Sequence, residues 1–263
     1  MIATASDGTR LHFTVAGSGP PVVLIGGKTS TIEGAWWRYI PVLARQRRVI
    51  ALDNRGTGES DRPDVLYTTA MLADDALAVL SAAGEQSAHW FGISLGGMVI
   101  QQLALAHPAA VRSLILAATH CGGRDDAVSA EPTALPPDHP LARYARLYHP
   151  SFIREHPEWV EDDARHFGKM PLFAIHRQDQ AVGNHRTCDR LAEITAPTLV
   201  IHGGQDRMVP VERARELAAG LPHAELVILD PGGHQVHSEQ FERVVTVVLD
   251  FIQRVEAERR AKG

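Results

Sequence analysis

The sequence predicts an α/β fold: a mostly parallel sheet flanked by helices, with an inserted helical cap. Three observations predict it. Apolar runs of strand length alternate with helix-length stretches through the first half of the chain, the alternation breaks between about residues 121 and 194, and it then resumes to the C-terminus. Strands separated by helices pair in parallel through right-handed crossovers. The interruption, rich in Pro, His and charged residues, reads as a segment inserted between two strands. The expected organisation is therefore a core of residues 1–120 and 191–263 and a helical cap of residues 121–190.

Each element follows from its local pattern. Residues 11–15 read as a strand, GSGPP (17–21) as a turn, and the aliphatic run 22–25 as a buried strand ending in Gly26-Gly27. WWRYIPVLARQ predicts a helix, RRVIALD a strand, TTAMLADDALAVLSAAG a helix, AHWFG a strand, MVIQQLALAH a helix and VRSLILAA a strand. In the cap, LARYARLYHP and PEWVEDDARHF have helical spacing, and Pro157 stands where a first turn tolerates proline. Beyond it come the strand PTLVIHG, the helix VERARELAAGL and the strand AELVILD. The closing segment places Phe241, Val244, Val245, Val248, Leu249 and Ile252 on one face of a single helix. The tail ERRAKG is expected to fray.

Composition narrows the function classes. A hydrophobic content of 44% excludes wholesale disorder, and a formal charge of −5 excludes a polyanion binder acting by bulk charge, so no nucleic-acid partner is expected. The aliphatic runs, such as 22–25, are far shorter than the roughly 18 apolar residues of a membrane span. The N-terminal residues lack a basic start and an apolar signal segment, and the cysteines are two, Cys121 and Cys188. The expectation is a reduced, cytoplasmic, soluble protein acting on a small molecule, as monomer or homodimer.

The first chemical signal is Gly92-Ile93-Ser94-Leu95-Gly96, which follows an apolar strand and runs straight into an apolar helix. A G-x-S-x-G turn in that context strains the serine backbone and presents its hydroxyl at the carboxyl edge of the sheet; the bland alternative is a helix N-cap serine. An alcohol is a poor nucleophile at neutral pH, so Ser94 needs a base, and the base needs a partner to fix its tautomer. Asp206 follows the strand PTLVIHG, and His234 follows AELVILD in a glycine-flanked loop. Alone, each reads as a capping carboxylate or a loop histidine. The order Ser, Asp, His, each just past a strand, is the one this architecture demands.

With these motifs in view, the chain resembles the α/β-hydrolase superfamily over nearly its whole length. DNRGTGES at 53–60, GISLGG at 92–97, PTLVIHGGQDRMVP at 197–210 and the GGH ending at His234 carry the resemblance. It implies Ser94 as nucleophile, His234 as general base and then acid, and Asp206 as orienting carboxylate. The backbone N–H of Leu95, at a helix N-terminus, is one expected oxyanion donor. The other is expected after the strand 22–25, where the family usually has His-Gly and an apolar or aromatic residue and this chain has Gly26-Gly27-Lys28. Lys28 thus takes the second donor position. Pointing inward, its side chain would favour a carboxylate or enolate; pointing outward, it is a solvated lysine.

Other chemistries lack their motifs. Gly27-Lys28-Thr29 has Val22 where a phosphate loop requires glycine, and Gly17-Ser18-Gly19 runs into prolines instead of a dinucleotide-binding helix. Seven of the histidines (120, 139, 149, 156, 166, 176 and 185) lie in or beside the cap without metal-ligand spacing, and neither cysteine has a C-x-x-C neighbour. No metal and no cofactor are therefore expected. Asp125-Asp126 and Glu161-Asp162-Asp163 read as solvated charges. Gly27, His120 and Trp159 are the candidate substrate contacts; Cys121 and the aromatics Trp36, Trp37, Tyr144, Phe152 and Phe173 are candidates for the pocket lining, with core packing the plainer reading of each. The reading is a serine hydrolase cleaving a carboxylic ester, lactone or thioester of a small apolar molecule. The alternatives are a carbon–carbon bond hydrolase or enol-lactonase of the same fold, and a non-catalytic ligand-binding receptor.

Overall fold

The computed structural model describes residues 1–122, 141, 144–167 and 170–262. Eight strands form one sheet: β1 (Ile2–Thr4), β2 (Arg10–Ala16), β3 (Pro21–Ile25), β4 (Arg48–Leu52), β5 (Ala88–Ile93), β6 (Val111–Ala117), β7 (Thr198–Gly203) and β8 (Ala224–Leu229). Their order is β1-β2-β4-β3-β5-β6-β7-β8. β1 and β2 pair antiparallel at one edge, and from β4 through β8 the pairing is parallel. β3, β5 and β7 are buried along their whole length, as strands covered by helices on both faces must be.

The period-2 geometry of a strand sorts their side chains into two cores. Val23, Ile25, Ile50, Leu52 and Trp90 face one side with α3 (Thr69–Ala82) and α4 (Leu95–Ala106). Val22, Leu24, Val49, Ala51, Phe91 and Ile93 face the other with α1 (Ile32–Trp36), α2 (Tyr39–Leu43) and α10 (Phe241–Lys262). Between β6 and β7 the chain leaves this frame and forms α5 (Pro150–Glu155), α6 (Pro157–His166) and α7 (Leu172–Gly183). Leu141, Tyr144, Ala145, Tyr148, Ile153 and Val160 there make a third, small apolar cluster. α8 (Val211–Gly220) joins β7 to β8, and the short α9 (Val236–Glu239) precedes α10.

Several expectations change. The helix expected over WWRYIPVLARQ is two short ones, α1 and α2, and Tyr144 to Tyr148 of LARYARLYHP form turns before α5 begins at Pro150. α10 runs to Lys262, into the tail expected to fray. β1 carries no sequence pattern: three residues are too few to show a period, and edge pairing with β2 creates the strand. Asp125, Asp126 and His139 lie outside the described residues. No helix among the described residues is long and apolar enough to cross a membrane.

The reduced state expected for the cysteines is corrected. Cys121 and Cys188 form a disulfide, so the inference from a count of two cysteines to a reducing compartment does not hold. Spacing hid the pair, because the two lie 67 residues apart and are brought together where the chain leaves and re-enters the core, beside the Gly122 to Arg186 bridge. A bond closing so long a loop restricts the unfolded chain and is worth about 2–4 kcal/mol. Cys188→Ala is therefore expected to lower stability by that amount, measured by urea denaturation against the oxidised wild type; an unchanged midpoint would contradict it.

Candidate active site

Ser94 sits between the last residue of β5 and the first of α4, with no residue of slack. Its backbone takes φ 51° and ψ −115°, a left-handed conformation that costs a non-glycine residue about 1–3 kcal/mol. The flanking glycines supply clearance. A Cβ at Gly92 would overlap the carbonyl of Gly96, and one at Gly96 would overlap the carbonyl oxygen of Ile25. The strained turn is pinned from β6: the Ser94 amide donates to Ala117 O at 2.9 Å, and Thr119 Oγ1 donates to Ser94 O at 2.7 Å.

Asp206 and His234 come from the loops after β7 and β8. Asp206 Oδ1 accepts the amides of Met208 (2.7 Å) and Val209 (2.9 Å), which turns Oδ2 toward His234 Nδ1 at 2.8 Å. An ionised carboxylate only accepts, so Nδ1 carries the proton and Nε2 is left as the free base. Burial pushes the His234 pKa down, but the charge and hydrogen bond of Asp206 outweigh it and leave it above its usual 6.5. Burial pushes Asp206 up, and the same pairing brings it below the usual range. His202, whose pKa burial lowers, donates Nε2 to Val209 O at 2.9 Å and stands 3.4 Å from Asp206 Oδ2. Glu239 accepts the amides of Gly233 (3.0 and 3.1 Å) and His149 (3.1 Å), fixing the loop that carries His234.

A cavity of about 520 Å³ opens over these residues. Ser94, His234, Gly27 and Lys28 line it, with Ile93, Tyr144, Leu147, Phe167 and Met208 among its apolar walls. Leu95 opens α4, where first-turn amides lack intrahelical acceptors. Gly27 abuts the serine, since a Cβ placed on it would lie 3.4 Å from Ser94 Cβ. The Lys28 ammonium binds Asp179 Oδ1 of α7 at 2.5 Å, and both side chains are near half-exposed. That carboxylate offsets the lysine charge.

His120 and Trp159 do not line this cavity. His120 Nδ1 accepts the Gly122 amide at 2.9 Å and its carbonyl takes Gln101 Nε2 at 3.1 Å, so it shapes the turn after β6. Trp159 Nε1 donates to Ser238 Oγ at 2.9 Å, and the Arg38 guanidinium lies 3.8 Å over its ring. Cys121 is taken up in the disulfide. Among the described residues, Cys121, Cys188 and Glu216 are the one group close enough to share a metal ion, but the two sulfurs are bonded to each other and offer no thiolate. Sequence reasoning missed Thr119, Gln178, His202 and Glu239, whose partners are distant in the chain or belong to the backbone. The DNRGTGES motif proves to be a buckle: Asp53 accepts the amides of Ile32 and Glu59 and pairs with His12, and Asn54 Nδ2 donates to Gly26 O at 3.3 Å.

A family model described as the alpha/beta hydrolase fold matches residues 20–169 and 143–241. A protein of Variovorax paradoxus (strain S110) named "Putative carbamate hydrolase RutD" is 36% identical over 94% of this chain and 97% of its own length. A 2-hydroxymuconate semialdehyde hydrolase of Pseudomonas sp. (strain CF600) is 29% identical over 95% of this chain and 93% of its own. Among solved structures, a thermophilic esterase from Thermogutta terrifontis superposes with a TM-score of 0.85 at 26% identity, covering 97% of this chain and 98% of that one.

Proposed function

Because the chain belongs to the α/β-hydrolase fold family, we propose that it is a serine hydrolase cleaving a carboxylic ester, lactone or thioester of a small molecule through an acyl-enzyme on Ser94. The observation that carries the reading is the Asp206 to His234 bond of 2.8 Å behind a cavity that His234 shares with Ser94 on its strained turn. His234 Nε2 takes the Ser94 proton as Oγ attacks the carbonyl carbon. The amides of Leu95 and Lys28 receive the charge that moves onto the carbonyl oxygen, each donor worth about 3 kcal/mol in the transition state. The protonated His234 then gives its proton to the leaving group. Water, deprotonated by the same ring, attacks the acyl-enzyme, and as the Oγ–acyl bond breaks the ring returns that proton to Ser94 and the acid is released. The residue 121–190 segment acts as a cap that supplies Tyr144, Leu147 and Phe167 to the acyl pocket, and its apolar walls favour an apolar acyl group of modest size.

A carbon–carbon bond hydrolase is the second reading, supported by the likeness to the semialdehyde hydrolase. The ion pair of Lys28 with Asp179 weighs against it, since a neutralised lysine gives little stabilisation to a dienolate. Hydrolysis of p-nitrophenyl esters of increasing chain length, with and without a chelator, tests the proposal. Serine-dependent turnover unaffected by chelation is expected, and its preferred length would size the pocket. Labelling by a fluorophosphonate without ester turnover would move the assignment to carbon–carbon cleavage, and absence of both would favour a receptor.

The His234 pairing predicts the pH profile. The base must be neutral to accept the Ser94 proton, so activity is lost as pH falls through the His234 pKa. With that pKa raised, kcat/KM should decline with unit slope below a midpoint above pH 6.5, and Asp206→Asn should shift the midpoint downward while cutting the rate. A wild-type midpoint below pH 6 would contradict the pairing.

A further inference from the structure

α7, distant in sequence from Ser94, grips the loop that carries the second expected oxyanion donor. Gln178 on this helix is wholly buried. Its Oε1 accepts the Thr29 amide at 2.8 Å, and its Nε2 donates to Arg55 O at 3.3 Å. The next residue, Asp179, holds the Lys28 ammonium. Thr29 is a non-glycine residue at φ 64°, a conformation that persists only where its surroundings impose it. From below, Asn54 Nδ2 holds Gly26 O. Gln178 thus fixes the peptide unit that follows the Lys28 amide, its neighbour Asp179 ties down the Lys28 side chain, and Asn54 of the DNRGTGES buckle fixes the Gly26 carbonyl on the N-terminal side.

We propose that Gln178 is a positioning residue for the oxyanion hole: by accepting the Thr29 amide it aims the preceding Lys28 amide at the carbonyl oxygen, so that the donor is in place only when α7 is seated. The inference rests on the proposed Ser94 acyl-transfer reading. Gln178 is not counted among the cavity-lining residues, so its effect on the reaction passes through the loop. A donor displaced by about 1 Å loses much of its transition-state value, because the charge it serves appears at one point.

The test uses Gln178→Met, which keeps the length and burial of the side chain and removes both hydrogen bonds. Expected is a fall in kcat of about 10- to 100-fold on a p-nitrophenyl ester with KM changed less than about threefold. An arylboronic acid, whose adduct on Ser94 carries an oxygen in the oxyanion position, should lose affinity by the same factor as kcat/KM. Gln178→Glu retains an acceptor for Thr29 and should recover most of kcat; it also serves if the methionine variant gives no cooperative melt. A folded Gln178→Met enzyme with kcat and boronate affinity within twofold of wild type would overturn the inference. So would a rise in KM at unchanged kcat, which would make Gln178 a substrate contact. If wild-type turnover proves independent of Ser94, the acyl-transfer reading itself fails, a result distinct from either.

Discussion

Ser94→Ala is expected to lower kcat on any ester substrate by at least about 10⁴-fold while leaving the thermal melt unchanged. A nucleophile, its base and the base's partner act as one unit, so removing the attacking atom forfeits the pathway and leaves only what binding and the oxyanion donors supply. Alanine keeps the Cβ, and with it the strain of φ 51°, so stability should not move. Ser94→Gly separates the two properties. It should be equally inactive yet more stable, because glycine adopts this conformation without a Cβ penalty. Retention of wild-type turnover by either variant would end the proposed mechanism, and a lower melting temperature for the glycine variant would contradict the strain.

The largest effect on stability is expected at Asp75. Arg55, among the most buried large side chains, meets Asp75 in a two-pronged pair, Nε to Oδ2 at 2.6 Å and Nη2 to Oδ1 at 2.7 Å, and reaches Asp7 at 2.9 Å. Asp75→Ala leaves a guanidinium in the protein interior whose remaining carboxylate partner among the described residues is the near half-exposed Asp7. Breaking a buried pair from one side costs about 3–5 kcal/mol, to be read from urea denaturation. Replacing both residues, Arg55→Met with Asp75→Leu, should recover much of that loss, because apolar groups of similar size need no partner. A single variant within 1 kcal/mol of wild type would show that the pair carries little weight. Since the Arg55 carbonyl also receives Gln178 Nε2, kinetics of the Asp75 variant would report whether disturbance there reaches the oxyanion loop.

What the sequence determines about this protein is what depends on neighbours along the chain. Apolar periodicity is a local property, so the core strands from β2 onward, α3, α4, α8 and the buried face of α10 are legible in it. Ser94 is legible because strand, turn and helix adjoin it directly, and Asp206 and His234 because each follows a strand end whose register the periodicity sets. Tertiary structure alone decides contacts between segments that share no local signal. The disulfide joins cysteines 67 residues apart, and Gln178 meets Thr29 across 149. His120 and Trp159, placed by sequence near the pocket, are turned by partners at Gly122, Ser238 and Arg38 that no spacing rule contains. The physical reason is one of range. Hydrophobic burial follows a repeating pattern and can be read as a period, whereas a hydrogen bond or a covalent cross-link depends on a few directed atoms whose proximity exists only once the chain has packed.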